Sequence, residues 1–161
     1  KASFSEMFFV LLQTIRGLRN TIITIIAVIA TAKVMGYSGM TSDIASTAVD
    51  VTGNFYPFIA PIIGSVGTFI TGSGTSSNVL FGNLQTDAAK AIGANAAWLA
   101  AANSAGTCVG KMISPQSIAI AVGAISLVGK DSEILKSIIK VYVPYAIILG
   151  CIVYFGQLFI S

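Results

Sequence analysis

The chain has 161 residues, 55% of them hydrophobic and only 9% charged, with a mean hydropathy of +0.86. A soluble domain carries about 25% charged residues, and nine Lys/Arg with six Asp/Glu cannot furnish a water-facing surface, so the composition describes a membrane protein. The absence of histidine excludes His-based triads and His-ligated metal sites, two cysteines are too few for a disulfide framework, and a net charge of +3 is too scattered for nucleic acid.

A hydrocarbon core of ~30 Å calls for about 20 apolar residues in a helix. The chain begins at Lys1 inside an apolar run that stops at Arg16 and Arg19, which reads as the tail of an earlier membrane helix, or an interfacial one, in a longer chain. The stretch 21–40 is long enough to span although Lys33 lies in it, within reach of the outer interface by snorkelling. Gly36 and Gly39 loosen its end, and 43–53 is expected as a short surface helix capped by Thr41 or Ser42. Residues 54–92 read apolar, then polar and glycine-rich at TGSGTSSN, then apolar again, and neither leg spans convincingly alone. A long segment over 94–128 is interrupted at GKMISPQS, where Gly110 and Pro115 break the helix. Its first part, ANAAWLAAANSAGTCVG, is rich in small residues suited to close helix packing; Asn103 and Ser104 are candidates to face a cavity, and Trp98 to anchor near the outer interface. A charged stretch at 130–140 precedes the last span, 141–160.

Charge placement orients these segments. Lys/Arg clusters mark cytoplasmic ends, so Arg16/Arg19 and Lys130/Lys136/Lys140 belong on one side and the crossings between them must be even in number. The spans 21–40 and 94–128 supply two, which leaves 54–92 to enter the bilayer and return. The expected fold is an all-α membrane protein: transmembrane helices, a re-entrant helical hairpin over 54–92, and a broken helix over 94–128.

Non-helical backbone at membrane depth is tolerated only where protein buries it or it lines a watery cavity. The hairpin tip brings hydroxyls from Thr71, Ser73, Thr75, Ser76 and Ser77, the amide of Asn78 and flexible backbone at Gly72 and Gly74. A second leg starting at Val79 and capped by Asn78 or Ser77 would aim free N–H groups at the tip, an anion-attracting arrangement. At the other interruption Ser114 is a natural cap, Pro115 fits the first helical position, and a half-helix follows to Val128, with Lys111, Gln116 and Ser117 close by. Broken helices that meet a re-entrant tip near the midplane describe the substrate site of many secondary transporters. Plainer readings stand beside this one: a Gly/Ser loop at the water interface, and a proline kink satisfied by its neighbours.

The stretches GTFITGSGTSSNVLFGNLQ (67–85), AANSAGTCVGKMISPQSIAIA (101–121) and SLVGKDSEIL (126–135), with NFYPFIAPIIG and GYSGM before them, resemble the C-terminal part of the bacterial L-lactate permease family. The resemblance implies a multi-pass inner-membrane symporter that carries L-lactate and related 2-hydroxy monocarboxylates such as glycolate with a proton. It also implies one repeat of an ion-transporter-like inverted-repeat fold, with an upstream half as partner, the lipid bilayer as solvent, and no cofactor. The family's tip falls on Gly72 to Asn78 and its broken helix on Gly110 to Ser117. Gly74 stands where the family commonly has an acidic residue. Two other classes compete: a structural or assembly membrane fragment, and an intramembrane hydrolase in which Lys111 activates a serine.

Overall fold

The computed structural model describes residues 3–17, 19–124 and 130–160, and every regular element among them is helical. The helices are α1 (Phe4–Gly17), α2 (Arg19–Tyr37), α3 (Met40–Thr52), α4 (Tyr56–Thr71), α5 (Gly74–Ile92), α6 (Ala96–Ile113), α7 (Pro115–Ala124) and α8 (Asp131–Ile160), with one 3-10 turn at Gly53–Phe55. The expected continuation of the half-helix through 125–128 lies outside the described residues. Among the described residues two helical paths are long and apolar enough to cross a membrane, Met40–Thr71 through the 3-10 turn, and α8. The expected span at 21–40 is taken up by α2, which ends before the turn at Ser38 and Gly39.

The expected side-chain cap at Thr41 or Ser42 is not the one used. Gly39, at φ 79°, turns the chain into α3 without a capping side chain, and Thr41 is buried. That φ lies in the left-handed region, which glycine enters without a Cβ penalty. Gly53, at φ 55°, then separates α3 from α4, and α3 packs mainly against α5 and little against α4. Ser42 Oγ donates to Asp87 Oδ2 at 3.0 Å, fixing the start of α3 against the last turns of α5.

The centre of the molecule is α4 against α6, with α5 and α8 alongside. The small residues noted in the sequence do the packing. A Cβ on Gly106 would overlap the Pro61 carbonyl, one on Gly110 the Ser65 carbonyl, and one on Gly64 the Asn103 carbonyl. The two helices therefore meet backbone to backbone, the geometry that small residues permit in membrane bundles. Around that contact lie buried Tyr56, Ala60, Leu84, Ala88, Ala89, Leu99, Ala102 and Val153. Trp98 is half-buried against α8. Its indole N–H donates to the Val153 carbonyl at 3.1 Å, and its ring lies over Gly156. Along α8 the level of Ser65 is marked by Tyr142, whose hydroxyl lies 2.7 Å from Ser65 Oγ.

Candidate functional site

Helices α4 and α5 form an antiparallel hairpin whose connection is much shorter than the sequence suggests. Only Gly72 and Ser73 leave helical geometry. Gly72, at φ 68°, ends α4 and returns its N–H to the Thr68 carbonyl at 2.8 Å. Ser73 caps α5, accepting from the Ser76 N–H at 3.3 Å. The second leg thus begins at Gly74, not Val79, and its cap is Ser73, not Asn78 or Ser77. One capping serine after one left-handed glycine completes the reversal, and the remaining Thr, Ser and Asn residues form the first turns of α5. Thr71 Oγ1 steadies the corner: it lies 2.8 Å from the Gly67 carbonyl and 3.0 Å from that of Ser73, and accepts the Ser73 N–H at 3.2 Å.

The second break falls at Ser114, as the sequence indicates. Its ψ of 125° is extended, the conformation forced on a residue that precedes proline. Ser114 Oγ accepts the Ser117 N–H at 3.4 Å and so caps α7. The two breaks touch. Lys111, in the last turn of α6, donates from Nζ to the Gly72 carbonyl at the tip, and a Cβ on Gly72 would overlap Oε1 of Gln116 in the first turn of α7. The first amides of a helix have no carbonyl of their own helix to bond. Those of α5 and α7 therefore converge on one region beside an ammonium group, a setting of positive potential.

A chain of buried polar side chains runs from the open end of the hairpin toward this region. Tyr56 donates to Gln85 Oε1 at 2.9 Å, and Gln85 Nε2 lies 3.3 Å from the Ala60 carbonyl and 3.1 Å from Asn103 Oδ1. Asn103 Nδ2 then donates to Asn78 Oδ1 at 2.8 Å, and Ser104 Oγ donates to the same oxygen at 3.2 Å. The network ties α4, α5 and α6 together, since an unmade bond away from water is costly.

The structure thus sorts the candidate residues. Thr75 and Gln116 are exposed, Lys111 is exposed beside the tip, and Ser73, Asn78 and Ser117 are half-buried. Ser77 and Ser114 are fully buried; Ser77 donates to the Gly64 carbonyl across the hairpin at 2.8 Å, and Ser114 is occupied as a cap. Ser76 and Gly72 are buried, and Thr71 acts within the corner. Sequence reasoning did not pick out Tyr56 and Gln85. The available signal was spacing: Asn78 and Gln85 are seven residues apart, two turns along one helical face. Asn103 and Ser104, read as facing a cavity, face Asn78. Gly74 lies against Thr107, whose Oγ1 would be 3.0 Å from an added Cβ.

The L-lactate permease family profile matches residues 1–160. An L-lactate permease of Bacillus subtilis (strain 168) is 41% identical over 96% of this chain and 27% of its own length. One from Streptococcus iniae is 51% identical over 66% of this chain and 22% of its own. A glycolate permease of Escherichia coli (strain K12) is 43% identical over 87% of this chain and 25% of its own. The chain spans about a quarter of the length of these curated relatives. No solved structure matches it. Permeases are transporters, not enzymes, and a match along essentially the whole chain, on a helical structure with segments long and apolar enough to cross a membrane, means that this protein belongs to the L-lactate permease family.

Proposed function

We propose that the chain is the C-terminal repeat of a longer multi-pass transporter of the bacterial inner membrane, which carries L-lactate and related 2-hydroxy monocarboxylates such as glycolate together with a proton. The carrying observation is the meeting of the hairpin tip with the broken helix. Two helix N-termini and Lys111 gather there, and a carboxylate is the ligand that such a region attracts. Thr75, Asn78, Lys111, Gln116 and the first amides of α5 and α7 hold the substrate's carboxylate and hydroxyl; Ser73 and Ser117 line the approach. Ser77 and Ser114 serve this site as braces. The names of the relatives support lactate and glycolate as cargo.

Dimensions set the depth of the hairpin tip. The first leg, α4, has 16 residues and α8 has 30, or about 24 and 45 Å at ~1.5 Å per residue. From the Ser65–Tyr142 level, Gly72 lies seven residues onward and Asp131 eleven in the same direction. The tip therefore lies level with Leu135 and Lys136, within the charged stretch 130–140 that precedes the last span. The Ser42–Asp87 hydrogen bond in turn places α3 and the end of α5 together at the open end of the hairpin.

The transport reading is tested by reconstituting the full-length transporter in liposomes. An imposed inward proton gradient should drive L-lactate accumulation that glycolate competes away; uptake indifferent to the gradient, or to glycolate, contradicts it. Topology has its own test. In a background lacking Cys108 and Cys151, cysteines at Ser42 and Asp87 should both react with an impermeant maleimide from outside while one at Ser132 should not. Labelling of 42 and 87 from opposite faces refutes the re-entrant hairpin.

A further inference from the structure

The buried amide chain has a direction, and it starts from a group whose polarity is beyond doubt. The Ala60 carbonyl only accepts, so the Gln85 amide must turn its nitrogen toward it, at 3.3 Å, and its oxygen toward the Tyr56 hydroxyl, at 2.9 Å. The same Gln85 nitrogen donates to Asn103 at 3.1 Å, so Asn103 must offer oxygen there and nitrogen to Asn78, at 2.8 Å. Asn78 receives this donor and the Ser104 hydroxyl, at 3.2 Å, on one oxygen. Its own nitrogen is the free end of the chain and meets no acceptor among the described residues. Gln85 and Asn103 are fully buried, whereas Asn78 is half-buried. Heavy-atom shape cannot tell an amide oxygen from its nitrogen, but the carbonyl at the origin settles every orientation after it.

We infer that Gln85 and Asn103 are positioning residues that lock the Asn78 amide with its N–H2 group presented to the tip region, so that the site offers a donor to a carboxylate and is closed to a competing donor. The inference rests on the proposal that the tip region holds the substrate. It adds a determinant of charge preference that lies two side chains away from any ligand.

Three isosteric substitutions test it in the full-length transporter, reading KM and Vmax for L-lactate uptake in liposomes together with melting temperature. Asn78→Asp keeps an acceptor for both Asn103 and Ser104 but presents a carboxylate oxygen to the site, and should abolish lactate uptake without lowering the melting temperature. Asn103→Asp still accepts from Gln85 but, ionised, has no hydrogen for Asn78, which must then turn its nitrogen inward and its oxygen to the site. Gln85→Glu reaches the same end from one residue earlier, because Asn103 must turn its nitrogen to the new carboxylate. The groups that contact these two positions from α4 and α5, namely Tyr56, Ala60, Gly64 and Asn78, are uncharged at neutral pH.

At pH 8 both relay variants should raise KM by about tenfold or more, the scale of one lost hydrogen bond to a charged ligand, with Vmax nearly unchanged. The ratio of variant to wild-type KM should fall toward one as the pH drops and the new carboxyl gains a proton to donate. A merely structural role would lower the melting temperature and leave that ratio flat with pH. Normal KM at pH 8 in a folded Asn103→Asp or Gln85→Glu variant, with Asn78→Asp inactive, overturns the relay and leaves the tip site standing. Normal uptake by Asn78→Asp overturns the relay and, with it, the placement of the substrate at the tip.

Discussion

Replacing Gly106 by valine is expected to prevent the central helices from assembling, with loss of monodisperse full-length transporter and no measurable uptake. The new side chain would be driven into the Pro61 carbonyl, a backbone atom that no rotamer change can move. Overpacking a core costs about 1–3 kcal/mol where side chains can adjust, and here α4 and α6 would have to part. The contacts at Gly64 and Gly110 would open with them, as would the amide chain. Lipid offers no hydrophobic push to close such a gap, because helix association in membranes rests on packing and polar contacts. Gly82→Ala is the matched control, since a Cβ at Gly82 meets nothing within 4 Å. Size-exclusion profiles and melting curves in detergent decide the matter. Equal behaviour of the two variants would mean that α4 and α6 do not meet backbone to backbone.

Lys111→Met is expected to raise the KM for L-lactate by about tenfold or more while a pH gradient still drives uptake. Lys111 holds the tip through the Gly72 carbonyl, and a hydrogen bond from a charged donor is worth about 1.5–3 kcal/mol. The ammonium also supplies positive charge beside two helix N-termini, so its loss weakens both the geometry and the field that retain an anion. Proton coupling should survive because this segment brings no carboxylate to the tip. Glu6, Asp43, Asp131 and Glu133 lie in the first turns of α1, α3 and α8, Asp50 is exposed near the end of α3, and Asp87 is engaged with Ser42 and Lys90 at the open end of the hairpin. The protonatable partner then belongs to the rest of the transporter. A variant that binds lactate normally but loses its pH dependence would instead put Lys111 on the proton path.

The broken helix was legible because proline acts locally: Pro115 cannot continue α6, and Ser114 before it is both extended and a cap. The backbone contact between α4 and α6 was legible on one side only, from the small residues of 94–110. The hairpin tip was read too long. A run of Gly, Ser and Thr carries the composition of a loop, yet Gly72 and Ser73 suffice to turn the chain, and the rest is helix braced by Ser77 on Gly64. The amide chain was the least visible element. Its bonded partners lie up to 29 residues apart, and nothing in an isolated glutamine or asparagine within an apolar run says which partner it will find or which way its amide will face.

Trp98 is the only tryptophan of the segment, and its indole is tied to the carbonyl of Val153 on α8 while its ring covers Gly156. Indole emission shifts to longer wavelength when the N–H exchanges a protein partner for water. A full-length transporter whose other tryptophans are replaced by phenylalanine would thus carry a built-in optical gauge of the α6–α8 seam. If these helices travel as one body during the transport cycle, the emission should stay fixed when lactate is added; if α8 stays behind as scaffold, it should redden, and the rate of that change would time the motion directly.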